Sequence, residues 1–387
     1  MPFPSFPPTD ASSTPPRLRL LRPLTYWRRY ERPEPPLWRT VLLHTSLFLV
    51  TLLTTTLAGA EWMTGKFTFA KPGLTAPEML RGLCFSLPFL GVLTVHEFGH
   101  YFVARRNRIR VTLPYYIPFF LGIINSIGTF GAVIRIKEKI FARREFFDVG
   151  IAGPLAGFLV AVPLLIYGFL NLPPAELAIY SSHEAHQGLT LSRPLLYQFL
   201  EYWLADPARI PHPNELMHYP LLLAGLLSLF FTALNLLPIG QLDGGHILYG
   251  LLGYRRFNRV SPVLFLFFIF YAGLGLFTLN SSRQELLYGA PVYLLYLYWV
   301  LGRVLPGKRR TLMLVGGMVA AQLAVSTAFP HVQGNPGWLV FGLLLGRLTG
   351  IYHPPAPDER PLTAGRKILG WLMLAVFVLC FTPSPFR

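Results

Sequence analysis

Pro77-Glu-Met-Leu-Arg-Gly-Leu-Cys-Phe-Ser-Leu-Pro-Phe-Leu-Gly-Val-Leu-Thr-Val-His-Glu-Phe-Gly-His-Tyr-Phe-Val-Ala104 sets the class of this chain. It is apolar over more than the roughly 20 residues that a membrane-crossing helix needs. Its second half carries His96-Glu97-Phe98-Gly99-His100. Ionisable groups at bilayer depth cost roughly 2.5–3.5 kcal/mol each and mark function. Residues i and i+4 share a helix face, so both imidazoles can reach one metal ion. On a soluble helix the same spacing is often a salt-bridged surface; inside a span there is no solvent to support that reading.

The rest of the chain agrees with a membrane setting. Its 387 residues are 52% hydrophobic and 13% charged, with a positive mean hydropathy, the composition of a polytopic membrane protein. The net charge of +16 invites a nucleic-acid reading, but Arg and Lys cluster in short runs between apolar segments. That placement follows the positive-inside rule and argues against nucleic acid as a partner. Cys84 and Cys380 both fall in apolar runs, so no disulfide framework is expected.

The expected fold is an all-α polytopic membrane protein with about nine transmembrane helices. The spans fall near 40–59, 78–104, 147–170, 219–251, 260–279, 289–305, 311–329, 336–352 and 367–383. A Pro- and Arg-rich tail over 1–38 precedes them, and the first apolar run reads as a signal anchor. Residues 39–252 form the expected catalytic core, with additional membrane helices over 253–387. Basic runs at Arg105-Arg106, Arg135 to Arg144, Arg255-Arg256 and Lys308-Arg309-Arg310 share one side if the N-terminus is cytosolic. The loop 171–218 then lies outside the membrane on the opposite face. A bacterial inner or plasma membrane is the expected location.

Residues 111–137 do not suit a span. Val111 to Pro118 is broken by proline, Asn125 to Gly131 is rich in glycine and small polar residues, and Ala132 to Lys137 favours extended structure. Non-helical backbone near membrane depth needs cover from protein or a wet cavity. A re-entrant, β-hairpin-like loop beside the HExxH helix is the expectation.

Two histidines leave a metal site incomplete, since zinc hydrolases use three protein ligands and keep a fourth position open. The best third ligand is Asp243, in Asn235-Leu-Leu-Pro238-Ile-Gly240-Gln-Leu-Asp243-Gly244-Gly245-His246. Pro238 and the glycines should break the 219–251 span there. At 1.5 Å per residue, His100 lies roughly 8 Å above Arg105 and Asp243 roughly 18 Å above Arg255, a gap that a break can close. Asp-Gly-Gly is also strong turn chemistry, so a capping role for Asp243 stands beside the ligand role. Glu97 lies just off the ligand face, placed to take a proton from the attacking water and pass it to the leaving amide nitrogen. Asn235 can donate its amide to the scissile carbonyl, or simply bond helix to helix. His246 is an alternative ligand, with a packing or outer-sphere role preferred. His183 and His186 read as solvated loop residues.

These residues resemble the site-2 protease family of intramembrane zinc metalloproteases. The motifs Val95 to His100, Phe147-Asp-Val-Gly-Ile-Ala-Gly-Pro-Leu-Ala-Gly157 and Asn235 to Gly245 occur in the family's order. Leu113-Pro114-Tyr115 and Gly128-Thr129-Phe130-Gly131-Ala132 match the branch typified by the EGY proteins of chloroplasts and bacteria. The resemblance covers about residues 78 to 252. It implies zinc held by His96, His100 and Asp243, Glu97 as catalytic base, Asn235 as a substrate-binding or oxyanion residue of the catalytic site, and transmembrane proteins as substrates. The loop 171–218 is too short for the PDZ domain that many relatives carry, and the resemblance gives the later spans no role. Gly150, Gly153 and Gly157 would let their helix approach a neighbour closely. An extended edge including Phe130, Gly131, Ala132 and Ile134 is the expected substrate-binding strand, pairing with an unwound substrate. A metal-ion transporter and a catalytically silent scaffold, built on the same ligands, are the competing readings.

Overall fold

A computed structural model describes residues 36–173 and 191–385. Residues 1–43 form a unit of their own, of which only 36–43 are described, as the first turns of helix α1 (Leu37–Thr64). Most of the expected tail, and His183 and His186, lie outside the described residues.

The HExxH stretch is two helical pieces meeting at Gly82: α2 (Ala76–Arg81) and α3 (Leu83–Arg106). Glu78 starts α2 by accepting from the Thr75 backbone N–H at 2.8 Å and from its hydroxyl at 2.9 Å. Gly82 is where α1 crosses. A Cβ there would lie 2.0 Å from the Thr56 carbonyl oxygen. Gly82→Ala should therefore destabilise the chain by about 1–3 kcal/mol through overpacking. Gly91→Ala, with nothing within 4 Å of the new methyl, should leave thermal unfolding unchanged or raise its midpoint.

After α3 the chain forms two short antiparallel strands, β1 (Tyr115–Pro118) and β2 (Thr129–Val133), with Tyr115 opposite Val133 and Tyr116 opposite Ala132. The sheet packs on α3: Tyr116 and Ala132 sit with Leu90 and Leu93, and Thr94 shares a 2.8 Å hydrogen bond with the Tyr116 hydroxyl. The expected hairpin is present, but its second strand begins three residues before the stretch whose propensity favoured it, and Ile134 lies past its end. Past Val133 the extended pairing resumes, as the propensity of the Ile-Arg-Ile-Lys run favours: Ile136 forms an antiparallel bridge with Val111, the Thr112 N–H donates to the Arg135 carbonyl at 3.0 Å and the Lys137 N–H to the Arg110 carbonyl at 2.8 Å.

Helix α4 (Arg143–Leu170) runs beside α3. The segment expected to be an outer loop carries a helix of its own, α5 (Leu195–Leu204). Its Tyr197 and Leu200 are buried against Phe169 and Leu222. The 219–251 span is broken as expected into α6 (Pro220–Leu236) and α7 (Asp243–Leu252). Beyond them come α8 (Tyr254–Ala272), α9 (Ala290–Leu301), α10 (Lys308–Ala328), α11 (Gly337–Leu344) and α12 (Ala364–Cys380). These later helices bury their own core, including Phe265, Ile269, Leu297 and Val315.

Among the described residues four helical stretches are long and apolar enough to cross a membrane: Leu37–Thr64, Ala76–Arg106, Arg143–Leu170 and Lys308–Ala328. Pro220–Leu236, Glu285–Leu301 and Gly337–Thr349 are apolar but shorter. Large apolar side chains such as Leu87, Phe102, Leu159 and Leu295 point outward. An apolar exterior of this kind suits lipid and is unfavourable in water.

Candidate metal centre

His96 and His100 project from one face of α3, one turn apart, and both are buried. Their Nε2 atoms are 3.1 Å apart. Asp243 meets them from the break between α6 and α7. Its Oδ2 lies 3.5 Å from His96 Nε2 and 3.2 Å from His100 Nε2. Asp243 is the first residue of α7, behind the N-cap Leu242, and no side-chain hydrogen bond caps this helix, so the capping role is not seen. Among the described residues this is the one group of three ligating side chains close enough to share an ion.

The donors fit zinc. A tetrahedral ion with bonds of 2.0–2.1 Å separates its ligand atoms by about 3.3 Å, and all three observed separations bracket that value. A carboxylate between two imidazoles is also a borderline-hard donor set that zinc accepts readily.

The tight spacing depends on glycine. Gly153 of α4 lies under the His100 ring; a Cβ there would be 2.1 Å from Nε2. Gly157 passes His96, with a Cβ position 3.1 Å from the His96 Cβ. Gly99, the fourth residue of the motif, faces the Ala152 carbonyl, and a Cβ there would lie 2.5 Å from its oxygen. Of the small-residue face expected on α4, Gly153 and Gly157 therefore pack against the HExxH helix, while Gly150 meets His246 and Asp243 of α7. In the break itself, Gly244 has no room for a Cβ, which would fall 1.9 Å from the Leu236 carbonyl oxygen, and Gly240 has a φ of 61°.

Orientation comes from a partner that the sequence did not reveal. His100 Nδ1 donates to the Val149 carbonyl at 2.7 Å, which leaves the Nε2 lone pair for an ion. No periodicity or motif flags a backbone carbonyl.

The other expected residues fall at different distances. Glu97 is buried, its Oε1 4.0 Å from His96 Nε2, and the Ile134 backbone reaches its carboxylate. Asn235, in the last turn of α6, places its Nδ2 3.4 Å from His96 Nε2. Phe130 and Val133 of β2 are exposed, Ala132 is buried, and Gly131 has a φ of 103°. His246 is not among the three clustered donors; its Nδ1 hydrogen-bonds His353 Nε2 at 2.9 Å.

A model of peptidase family M50 matches residues 84–278, half of the chain. The chain belongs to this family. It is 32% identical over 191 residues to the probable zinc metalloprotease EGY2, chloroplastic, of Oryza sativa subsp. indica, a match covering 48% of this chain and 32% of that protein. Against the probable zinc metalloprotease EGY1, chloroplastic, of Arabidopsis thaliana it is 32% identical over 170 residues, 42% of this chain and 28% of the relative. EGY3 of the same rice subspecies, also a probable chloroplastic zinc metalloprotease, is 29% identical over 222 residues. The chain thus spans about a third of the length of the curated relatives it matches. No solved structure matches. The expected bacterial location is corrected by these findings: the EGY relatives that the chain matches are chloroplastic.

Proposed function

We propose that this M50 chain is a zinc-dependent endopeptidase that cleaves transmembrane segments of membrane proteins. The supporting observation is the convergence of His96, His100 and Asp243 from two separate stretches of chain, with Glu97 beside them. In this reading the nine apolar segments all cross or enter the bilayer, with 39–252 as the catalytic core and 253–387 as additional helices. The 1–38 tail shares the side of the basic loops, and 171–218 lies on the other face.

His96, His100 and Asp243 hold the ion. When bound, zinc supplies a Lewis acid and brings the pKa of water into the neutral range. Glu97 takes the proton from the attacking water and delivers it to the leaving nitrogen. Its burial keeps bulk water from competing for that proton. Asn235 donates its amide to the carbonyl oxygen as negative charge develops there.

A helical substrate must be unwound before its amide is open to attack. Phe130, Gly131, Ala132 and Ile134 form the edge on which the unwound strand would pair, beside Glu97. Ala132→Pro should lower cleavage strongly while zinc content stays at the wild-type level. Unimpaired cleavage by that variant would remove the pairing idea.

The function itself is tested with the purified chain and a set of helical membrane-spanning peptides in bilayers. Cleavage within the membrane segment should stop with 1,10-phenanthroline and return on adding zinc. Cleavage indifferent to chelation would exclude the metalloprotease reading.

A further inference from the structure

The family match ends at residue 278, yet the segment 350–366 returns to the metal centre. It runs from beyond α11 into the first turn of α12, along the break and α7. Gly350 and Gly240 are in backbone contact: a Cβ on Gly240 would fall 1.9 Å from the Gly350 carbonyl oxygen. Ser261 of α8 joins the two chains, accepting from the Gly240 N–H at 2.9 Å and donating to the Ile351 carbonyl at 2.7 Å. Gln241 donates to the Tyr352 carbonyl at 3.3 Å.

On the other side of Asp243, His353 is buried and stacks on Tyr249 at 3.8 Å with an interplanar angle of 11°. Its backbone is fixed to Asn258 by a reciprocal pair of 2.9 Å hydrogen bonds. The Tyr249 hydroxyl donates to Glu359 and accepts from the Ala356 N–H. Further along, the Asp358 N–H donates to the Phe141 carbonyl at 3.0 Å, and Arg366 grips Asp148 at 2.7 and 2.9 Å.

The ring hydrogen bonds can be oriented. Burial pushes the His353 pKa down to about 4, so the ring is neutral at physiological pH. Its Nδ1 faces the Pro354 carbonyl at 2.6 Å, an acceptor only, so Nδ1 carries the proton. The Nε2 of His353 is then an acceptor, and His246 Nδ1 donates to it at 2.9 Å. His246 is in the same helical turn as Asp243, and a Cβ at Gly150 would touch both residues. The segment therefore holds the backbone just before Asp243 and the side chain just after it.

We propose that residues 350–366 act as a clasp that positions Asp243 for metal binding, with His353 as the positioning residue working through His246. The clasp rests on the metal-site reading above. It gives the helices beyond the family match a role, since they deliver this segment to the break.

The test measures zinc affinity of the full chain in detergent, by competition with a chromophoric chelator. His353→Ala should bind zinc about tenfold more weakly, at the lower end of what outer-sphere partners of metal ligands contribute. His353→Gln keeps an acceptor oxygen near the Nε2 position and should return to within about twofold of wild type. Ser261→Ala, which cuts the clasp from the break at another point, should weaken zinc binding in the same direction. It stands in for His353→Ala if that variant does not fold. Wild-type affinity in His353→Ala, or in Ser261→Ala, overturns the clasp alone. So does an equal loss in the alanine and glutamine variants, because ring volume and not the hydrogen bond would then matter. A wild-type chain that binds no zinc overturns the metal-site reading and the clasp with it.

Discussion

Glu97→Gln is expected to reduce cleavage by roughly 10²–10⁴-fold, the range associated with a positioned general base, while zinc content is unchanged. The substitution keeps the size of the side chain and removes only its ability to accept a proton. Glu97 is beside the three donors and is not one of them: its Oε1 is 4.0 Å from His96 Nε2. Peptide cleavage and zinc content measured on the same preparation separate the readings. A variant that loses zinc makes Glu97 a ligand. One that keeps both zinc and cleavage makes it a bystander, and the base must be sought elsewhere. Full biological activity in a variant with no cleavage would favour a transporter or a scaffold.

Gly153→Ala should strongly damage the centre, because it adds a methyl group directly against a metal ligand. The new Cβ would lie 2.1 Å from His100 Nε2 and 2.4 Å from Cδ2, far inside van der Waals contact. The ring cannot turn aside without breaking its 2.7 Å hydrogen bond to Val149. A zinc affinity at least about 100-fold lower is expected, since ligand placement and its outer-sphere bond are both lost, and cleavage should fall with it. Alanine is the better helix former, so general unfolding is not the expected cause. Gly316→Ala in α10, with nothing within 4 Å of the added carbon, is the control and should bind zinc normally. Normal zinc affinity in Gly153→Ala would mean that α3 and α4 are packed differently from the structure described.

Legibility in the sequence followed the reach of local chemistry. His96 and His100 are separated by a fixed helical spacing, and an apolar background makes them conspicuous. The break before Asp243 was legible because Pro238 and Gly240 interrupt a helix, although Gly244 and Gly245 lie inside α7. Counting depth left a gap between Asp243 and α3 that this break could close. The small-residue face of α4 was legible as a close-packing surface, although its partner was not fixed by sequence. What stayed hidden depends on tertiary placement. The Val149 carbonyl carries no residue-type signal. His353 is 107 residues from His246, and its neighbours Pro354 and Pro355 suggest only a loop. The start of β2 at Thr129 depends on packing of the sheet against Leu90 and Leu93, while the extended pairing at Ile136 follows its strand propensity. Helix α5 was missed because a charged, proline-punctuated stretch surrounds it.

X-ray absorption at the zinc edge of the full-length protein reports directly on the atoms around the ion. Two imidazole nitrogens and at least one carboxylate oxygen at about 2.0–2.1 Å are expected, with one imidazole lost in His100→Ala and the carboxylate lost in Asp243→Ala. A wild-type spectrum with sulfur ligands, or one left unchanged by Asp243→Ala, would contradict the assignment of these three residues as the metal centre.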